Sequence, residues 1–331
     1  MIRRAGTLAL LLVALISGAL PICVAQDEAW DLLLRVPPII VLAPLSLFAM
    51  TWMLNALRVR IFFYNRAQGF TQCYAVATIL SCDLAAKTTP GGSGVPFMAV
   101  AIMKQFEVNP GVALSGFVAI SFIDAGLMLF FVAFLSVSGV IDQLVPSHQA
   151  GEIVLFAVLF TLLVSVFIST RLHNHGFNFF VTVVNRILMN KPMRYRIFRQ
   201  LVWFRWGLRD FMRYPAGRRC SFLLTTLVFW SMQLSLLYAA LIALNVQISW
   251  FDAAIIQIIS MAAGRLLFLP GGVLATEGVA VALLSASINP SVAATAVLVW
   301  RSSTLFASLF AGGISSTYFV ARMNRGAKKK K

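Results

Sequence analysis

Long apolar runs, separated by short polar or basic stretches, make up most of this chain. A helix needs about 20 consecutive apolar residues to cross a bilayer. Runs that approach or exceed this length occupy residues 5–25, 38–57, 111–138, 153–170, 221–244 and 291–319. The pattern therefore predicts six membrane-spanning helices. The first run also has features of a cleavable signal peptide, but Pro21 and the bulky Ile22 near its end favour an uncleaved span.

Two shorter apolar stretches are each interrupted by a Pro-Gly-Gly sequence. The turn residues are Pro90, Gly91 and Gly92 and, 180 residues later, Pro270, Gly271 and Gly272. An Asn-Pro pair follows each turn at the same interval, beginning at Asn109 and at Asn289. Because proline and glycine break helices, each copy predicts a helix, a break, a short helix, a second break and a long helix. The chain therefore contains a diverged duplication, with repeat A at residues 38–138 and repeat B at residues 221–319.

Each Pro-Gly-Gly unit is predicted to enter and leave the membrane on one side as a re-entrant hairpin; two short full crossings are the alternative. Thr88, Thr89 and Thr276 lie beside the breaks, where backbone groups freed by the turns need partners. Inverted repeats whose broken helices meet near the midplane are typical of secondary transporters. The predicted fold is an all-α polytopic membrane protein, with six full spans and two re-entrant helical hairpins arranged as an inverted repeat in a single transmembrane domain.

Composition supports a membrane protein and gives its predicted orientation. Hydrophobic residues make up 60% of the chain and charged residues only 11%, so lipid rather than water must surround most of it. The net charge of +16 is concentrated in a few loops, which favours positive-inside membrane topology over binding to nucleic acid. Of 27 Lys and Arg residues, 11 lie in the middle loop, residues 171–219. This loop and both termini are predicted to be cytoplasmic, in a bacterial or archaeal plasma membrane.

The basic middle loop contains a helical pattern between Arg194 and Tyr214. Apolar side chains recur at helical spacing, while Arg205, Arg209 and Arg213 step by four along another face. This pattern predicts an amphipathic helix that lies on anionic lipids of the inner leaflet. A group of basic residues that only sets the orientation of the chain in the membrane is an equally good interpretation.

Several of these motifs resemble those of a known family. The Pro-Gly-Gly turn at residues 270–272, the pair Glu277-Gly278 and the pair Trp300-Arg301 are similar to the lysylphosphatidylglycerol synthase transmembrane-region family of flippase-like membrane proteins. In the first half, residues 89–94 and the later Asp124 resemble the family's other motif. The resemblance implies a role in moving lipids or lipid-linked precursors between leaflets. Because the sequence ends at a lysine tail without an aminoacyl-transferase domain, lysyl transfer is not expected.

Ionisable residues at membrane depth are the candidates for chemistry. Six fall within predicted spans or hairpins: Asp83, Lys87, Asp124, Arg265, Glu277 and Arg301. Each would cost on the order of 2.5–3.5 kcal/mol at the bilayer centre, so partners are expected. Arg301 and Arg265 could clamp a lipid phosphate, with Glu277 as their partner, and Asp124 is a further substrate-binding candidate. A structural ion pair is the alternative for Arg301 and Glu277, and Asp83–Lys87 fits a local pair four residues apart on one helix face.

Catalysis and metal binding find little support in the sequence. The three histidines fall in predicted loops, and no metalloprotease, hydrolase-nucleophile or phosphate-binding-loop motif occurs. The four cysteines show no paired spacing. We therefore expect no enzyme activity, no cofactor and no metal. The predicted function is a flippase or transporter for a phospholipid or a polyprenyl- or hopanoid-type lipid. The alternatives are a membrane scaffold that binds lipid-biosynthesis enzymes and an integral membrane lipid-modifying enzyme.

Overall fold

A computed structural model describes residues 37–137, 191–266 and 270–329, and over these residues the chain is helical and contains no strand. The elements in chain order are α1 (Pro38–Phe62), α2 (Gln72–Thr88), turn A (Pro90–Gly92), α3 (Gly94–Met103), a 3₁₀ turn (Lys104–Phe106), α4 (Pro110–Val137), α5 (Lys191–Met212), α6 (Ala216–Ala243), α7 (Trp250–Leu266), turn B (Pro270–Gly272), α8 (Ala275–Ser285), α9 (Pro290–Arg301), a π-helix (Ser302–Phe306) and α10 (Ala307–Lys329). The all-α prediction is confirmed for these parts of the chain.

Four of the six predicted spans coincide with helices long and apolar enough to cross a membrane. These are residues Leu42–Phe62, Pro110–Met128, Ala216–Ala243 and Pro290–Arg322. The other two predicted spans, residues 5–25 and 153–170, lie outside the described residues. The helices on either side of turns A and B are shorter than a full span, as the hairpin prediction requires. Whether the hairpins are re-entrant and the repeats inverted stays a prediction.

The described helices belong to two compact units. Among the described residues, one unit comprises residues 37–106, 217–266 and 270–329, and the other comprises residues 107–137 and 191–216. In the first unit, α9 is buried along almost its whole length, and much of the core around it is alanine, including Ala293, Ala294 and Ala296. Small side chains let helices approach closely in lipid, where packing rather than the hydrophobic effect drives association.

Large apolar side chains cover much of the outside of this first unit. Phe310 is 75% exposed and Leu224 is 60% exposed, on two of the candidate spans. Such surfaces would be unfavourable in water but suit the hydrocarbon region of a bilayer.

The duplication predicted from the sequence recurs in local structure. Helices α2 and α7 are each 17 residues long and lead into turns A and B, which are followed by short helices of 10 and 11 residues. Gly91 has φ 58° and ψ 16°, and Gly271 has φ 67° and ψ 3°. Both pairs of glycines are left-handed, which only glycine adopts at little cost. The two turns therefore have the same backbone conformation despite different flanking sequences.

In the second unit, α4 and α5 pack against each other near the start of α4. The backbone N–H of Gly111 donates a hydrogen bond to the Gln200 side-chain oxygen at 2.9 Å. Gly207 of α5 lies against Ser115 so closely that a Cβ atom would collide with the serine hydroxyl. The helix predicted between Arg194 and Tyr214 is thus confirmed as α5, but part of its apolar side faces a neighbouring helix.

Candidate functional site

Turns A and B contact each other inside the first unit. Helix α2, which leads into turn A, also contacts turn B. The two Pro-Gly-Gly breaks are therefore neighbours in space although they are 180 residues apart in sequence. The hairpin prediction places both turns at membrane depth, where irregular backbone is tolerated only when protein or a water-filled cavity surrounds it. The contact between the turns agrees with that requirement.

An ion pair between Arg301 and Glu277 lies directly beside turn B. Arg301 Nε donates to Glu277 Oε1 at 2.6 Å, and the two side chains are 5% and 0% exposed. Arg301 Nη2 donates to the Gly271 carbonyl oxygen at 3.0 Å. One guanidinium group thus joins the end of α9, the first turn of α8 and the backbone of turn B. The structure thus contains the Arg301–Glu277 ion pair that the sequence analysis named as the alternative to a phosphate clamp.

Local backbone structure helps to position both partners. Glu277 lies in the first turn of α8, where the helix dipole favours a carboxylate. Leu274, immediately before α8, has a left-handed φ of 73°, which is costly for a leucine and reverses the chain direction after turn B. Directly after Arg301 the chain forms the π-helix, a local irregularity that is frequent at functional sites.

Asp83 and Lys87 of repeat A belong to the same region. The Ser308 hydroxyl donates to Asp83 Oδ2 at 2.5 Å, which links α2 to α10. Lys87 lies within electrostatic range of Asp83, Glu277, Arg265 and Arg301. We call these five ionisable residues the charge cluster, and its members come from both repeats.

The other predicted site residues are placed differently. Arg265 is exposed at the end of α7, within electrostatic range of Lys87. Asp124 lies half-buried on α4, in the other compact unit. Three of the four predicted substrate-binding residues, Arg301, Glu277 and Arg265, therefore belong to one cluster, and Asp124 is not among its members. In residues 37–137, 191–266 and 270–329, no group of three His, Cys, Asp or Glu side chains could hold a metal ion.

Two residues that the sequence analysis did not single out have defined roles in the structure. Ser308 contacts Asp83, which the sequence analysis had matched only with Lys87. Arg58, which the sequence places in the basic stretch after a span, is completely buried. Its guanidinium carbon lies 4.7 Å from the Phe229 ring centroid and 5.7 Å from that of Phe222. The position of Arg58 close to an apolar run was the only sequence signal of this cation–π arrangement.

Comparison with known protein families gives one match that covers most of the chain. The family described as "Lysylphosphatidylglycerol synthase TM region" matches residues 6–312. The matched segment includes turn A, turn B and all five residues of the charge cluster. No curated protein matches the chain.

Proposed function

The chain belongs to the lysylphosphatidylglycerol synthase TM region family, and from this premise we propose that it moves a phospholipid or lipid-linked substrate between membrane leaflets. The substrate site lies where turns A and B meet. The observation that carries this proposal is the contact between turns A and B, beside which the buried Arg301–Glu277 ion pair is bonded to the Gly271 carbonyl oxygen.

Energetics favour a functional role for the cluster. Ionisable groups at membrane depth are expensive, and they commonly mark substrate or ion pathways. Lys87 from repeat A lies within electrostatic range of the Arg301–Glu277 pair of repeat B. Lysine and arginine side chains are suited to bind the anionic phosphate group of a lipid.

The cations of the cluster have different tasks in this proposal. Arg301 donates from Nε to Glu277 and from Nη2 to the Gly271 carbonyl oxygen, and it thereby positions turn B. Its third nitrogen, Nη1, takes part in neither of these two bonds. Lys87, from repeat A, contributes a compact charge on a flexible stem that can follow a moving headgroup. Arg265 is exposed and makes the first contact with the headgroup.

The two repeats suggest how the substrate could be passed across the membrane. In transporters with inverted repeats, one repeat rocks against the other around a fixed central site. Turns A and B contribute paired breaks of this kind, and the Asp83–Ser308 hydrogen bond connects α2 of repeat A with α10 of repeat B. Movement of one hairpin relative to the other would open the charge cluster first to one leaflet and then to the other.

A scaffold for lipid-biosynthesis enzymes is the alternative that needs no moving substrate. Reconstitution of the purified protein into liposomes with a panel of fluorescent phospholipids and polyprenyl phosphates separates the two. We expect transfer of at least one anionic lipid by the wild-type protein. Lys87→Gln should abolish it, whereas Lys104→Gln, which removes an exposed lysine from the 3₁₀ turn, should not. A folded wild-type protein that moves none of these lipids would overturn the proposal.

A further inference from the structure

Helix α5 meets α4 at the place where a candidate membrane span begins. The span starts at Pro110, and its first turns, at Gly111 and Ser115, contact α5 at Gln200 and Gly207. These contacts place residues 200–207 of α5 beside the end of the span, where a span of this length reaches the membrane interface. This placement follows from contacts within the second compact unit and does not depend on the proposed lipid transport.

The side of α5 that faces α4 differs in character from its opposite side. Gln200, Gly207 and Phe211 lie on the side toward α4, and Phe211 is only 8% exposed. Positions three and four residues apart share a helix face, so the opposite side forms a continuous stripe. Its members are Arg199, Val202, Trp206, Arg209 and Arg213, the last of which immediately follows the end of the helix. Trp203 lies between this stripe and α4, because its Cβ atom lies beside Gly111 of α4.

This stripe combines an exposed aromatic ring with positive charge. Trp206 is 48% exposed, and its ring meets that of the neighbouring Trp203 edge to face, with centroids 5.7 Å apart. The arginines of the stripe are exposed as well. Tryptophan is enriched at membrane interfaces because its ring is apolar while its N–H needs a polar partner. Arginine binds phosphate with two parallel hydrogen bonds.

We infer that the tryptophan–arginine stripe of α5 binds the headgroups of anionic phospholipids at the membrane surface. Charge complementarity favours anionic over zwitterionic lipid, because basic residues near an anionic leaflet are attracted to its surface potential. The position beside the first turn of a span favours lipid over a soluble acidic partner. The sequence pattern predicted that this helix lies on anionic lipids. In the structure α4 covers part of its apolar side, so we assign the lipid contact to the stripe on the opposite side.

Hydrogen–deuterium exchange of the full-length protein in nanodiscs tests this inference locally. One set of nanodiscs contains phosphatidylcholine alone, and a second set contains 30% phosphatidylglycerol as the anionic probe. We expect the peptide that covers α5 to exchange more slowly in the anionic nanodiscs, while the α4 peptide behaves alike in both. Each arginine is expected to contribute about a fivefold preference for the anionic surface. Added salt should reduce the difference, since it screens surface charge.

Two triple variants complete the experiment. Arg199→Gln, Arg209→Gln and Arg213→Gln together should remove the lipid-dependent protection of α5. The matched control, Arg60→Gln, Lys104→Gln and Arg219→Gln, removes three exposed charges outside α5 and should retain it. Equal exchange in both kinds of nanodisc for the wild-type protein would overturn the inference. Lipid-dependent protection that survives in the α5 triple variant would also overturn it, because the arginines would then not be responsible for binding the anionic lipid.

Discussion

Arg301 and Glu277 form an ion pair at 2.6 Å, fully enclosed by protein beside turn B. Removing one member of such a pair leaves a buried charge without its counterion, which typically costs about 3–5 kcal/mol. Arg301→Gln and Glu277→Gln should therefore each lower thermal stability strongly. Replacing both with leucine should restore much of the stability, because neither charge then needs compensation.

Lipid transfer by the same double variant distinguishes a structural from a functional pair. We expect the leucine double variant to be stable and inactive, since the charge cluster would lose both residues and the Gly271 carbonyl would lose its donor. Melting curves in detergent and transfer in liposomes are the two measurements. Recovered transfer in a stable double variant would remove Arg301 and Glu277 from the proposed site.

The second prediction concerns turn B. Gly272 has φ 66°, and a Cβ atom there would lie 2.8 Å from Thr276 Oγ1 and 3.1 Å from Gly264 Cα. Gly272→Ala should therefore lower stability by about 1–3 kcal/mol. Gly313→Ala is the matched control, because this glycine in α10 has open space around its Cβ direction and alanine favours helix. Melting temperatures in detergent measure both effects, and equal stability of the two variants would contradict the turn geometry.

The third prediction concerns the link between the repeats. Ser308→Ala removes the hydroxyl that donates to Asp83, and a hydrogen bond to a charged group contributes about 1.5–3 kcal/mol. Ser302→Ala is the control, since the Ser302 hydroxyl donates to the backbone carbonyl of Val299, and the Ser308 hydroxyl contacts the carbonyl of Thr304 in a similar way besides its bond to Asp83. Chemical denaturation or thermal melting should show a loss for Ser308→Ala that clearly exceeds the loss for Ser302→Ala. Unchanged stability would mean that Asp83 does not depend on α10.

The fourth prediction concerns orientation, which follows from the charge distribution. Single cysteines at Gly217 and Ser249 lie near opposite ends of α6. In a background without native cysteines, a membrane-impermeant thiol reagent applied to intact cells should label the Ser249 position only. Two native cysteines, Cys73 and Cys220, are exposed and would otherwise react. Labelling at Gly217 from outside would contradict both the cytoplasmic middle loop and the inverted repeats.

Local patterns explain how much of the fold was accessible from the sequence. Hydropathy predicted the four spans confirmed in the described residues. Each helix that crosses the bilayer needs its own run of about 20 apolar residues, so each span can be recognised from its own segment. The two Pro-Gly-Gly turns were predicted for a similar reason. A left-handed backbone favours glycine, and proline ends a helix. The residues at each break therefore predict the break without any knowledge of its neighbours. The ionisable residues at membrane depth were also visible, because each interrupts an apolar run.

Partner choice depended on tertiary structure. The sequence could match Asp83 with Lys87 because they are four residues apart. Asp83 also accepts a hydrogen bond from Ser308, which lies 225 positions away in the sequence. Arg58 resembled any basic residue at the end of a span, and only the packing of α6 places two phenylalanine rings around it. The apolar face of α5 was evident, but its contact with α4 was not. Composition and periodicity describe one helix at a time, whereas these contacts arise from which helix surfaces meet.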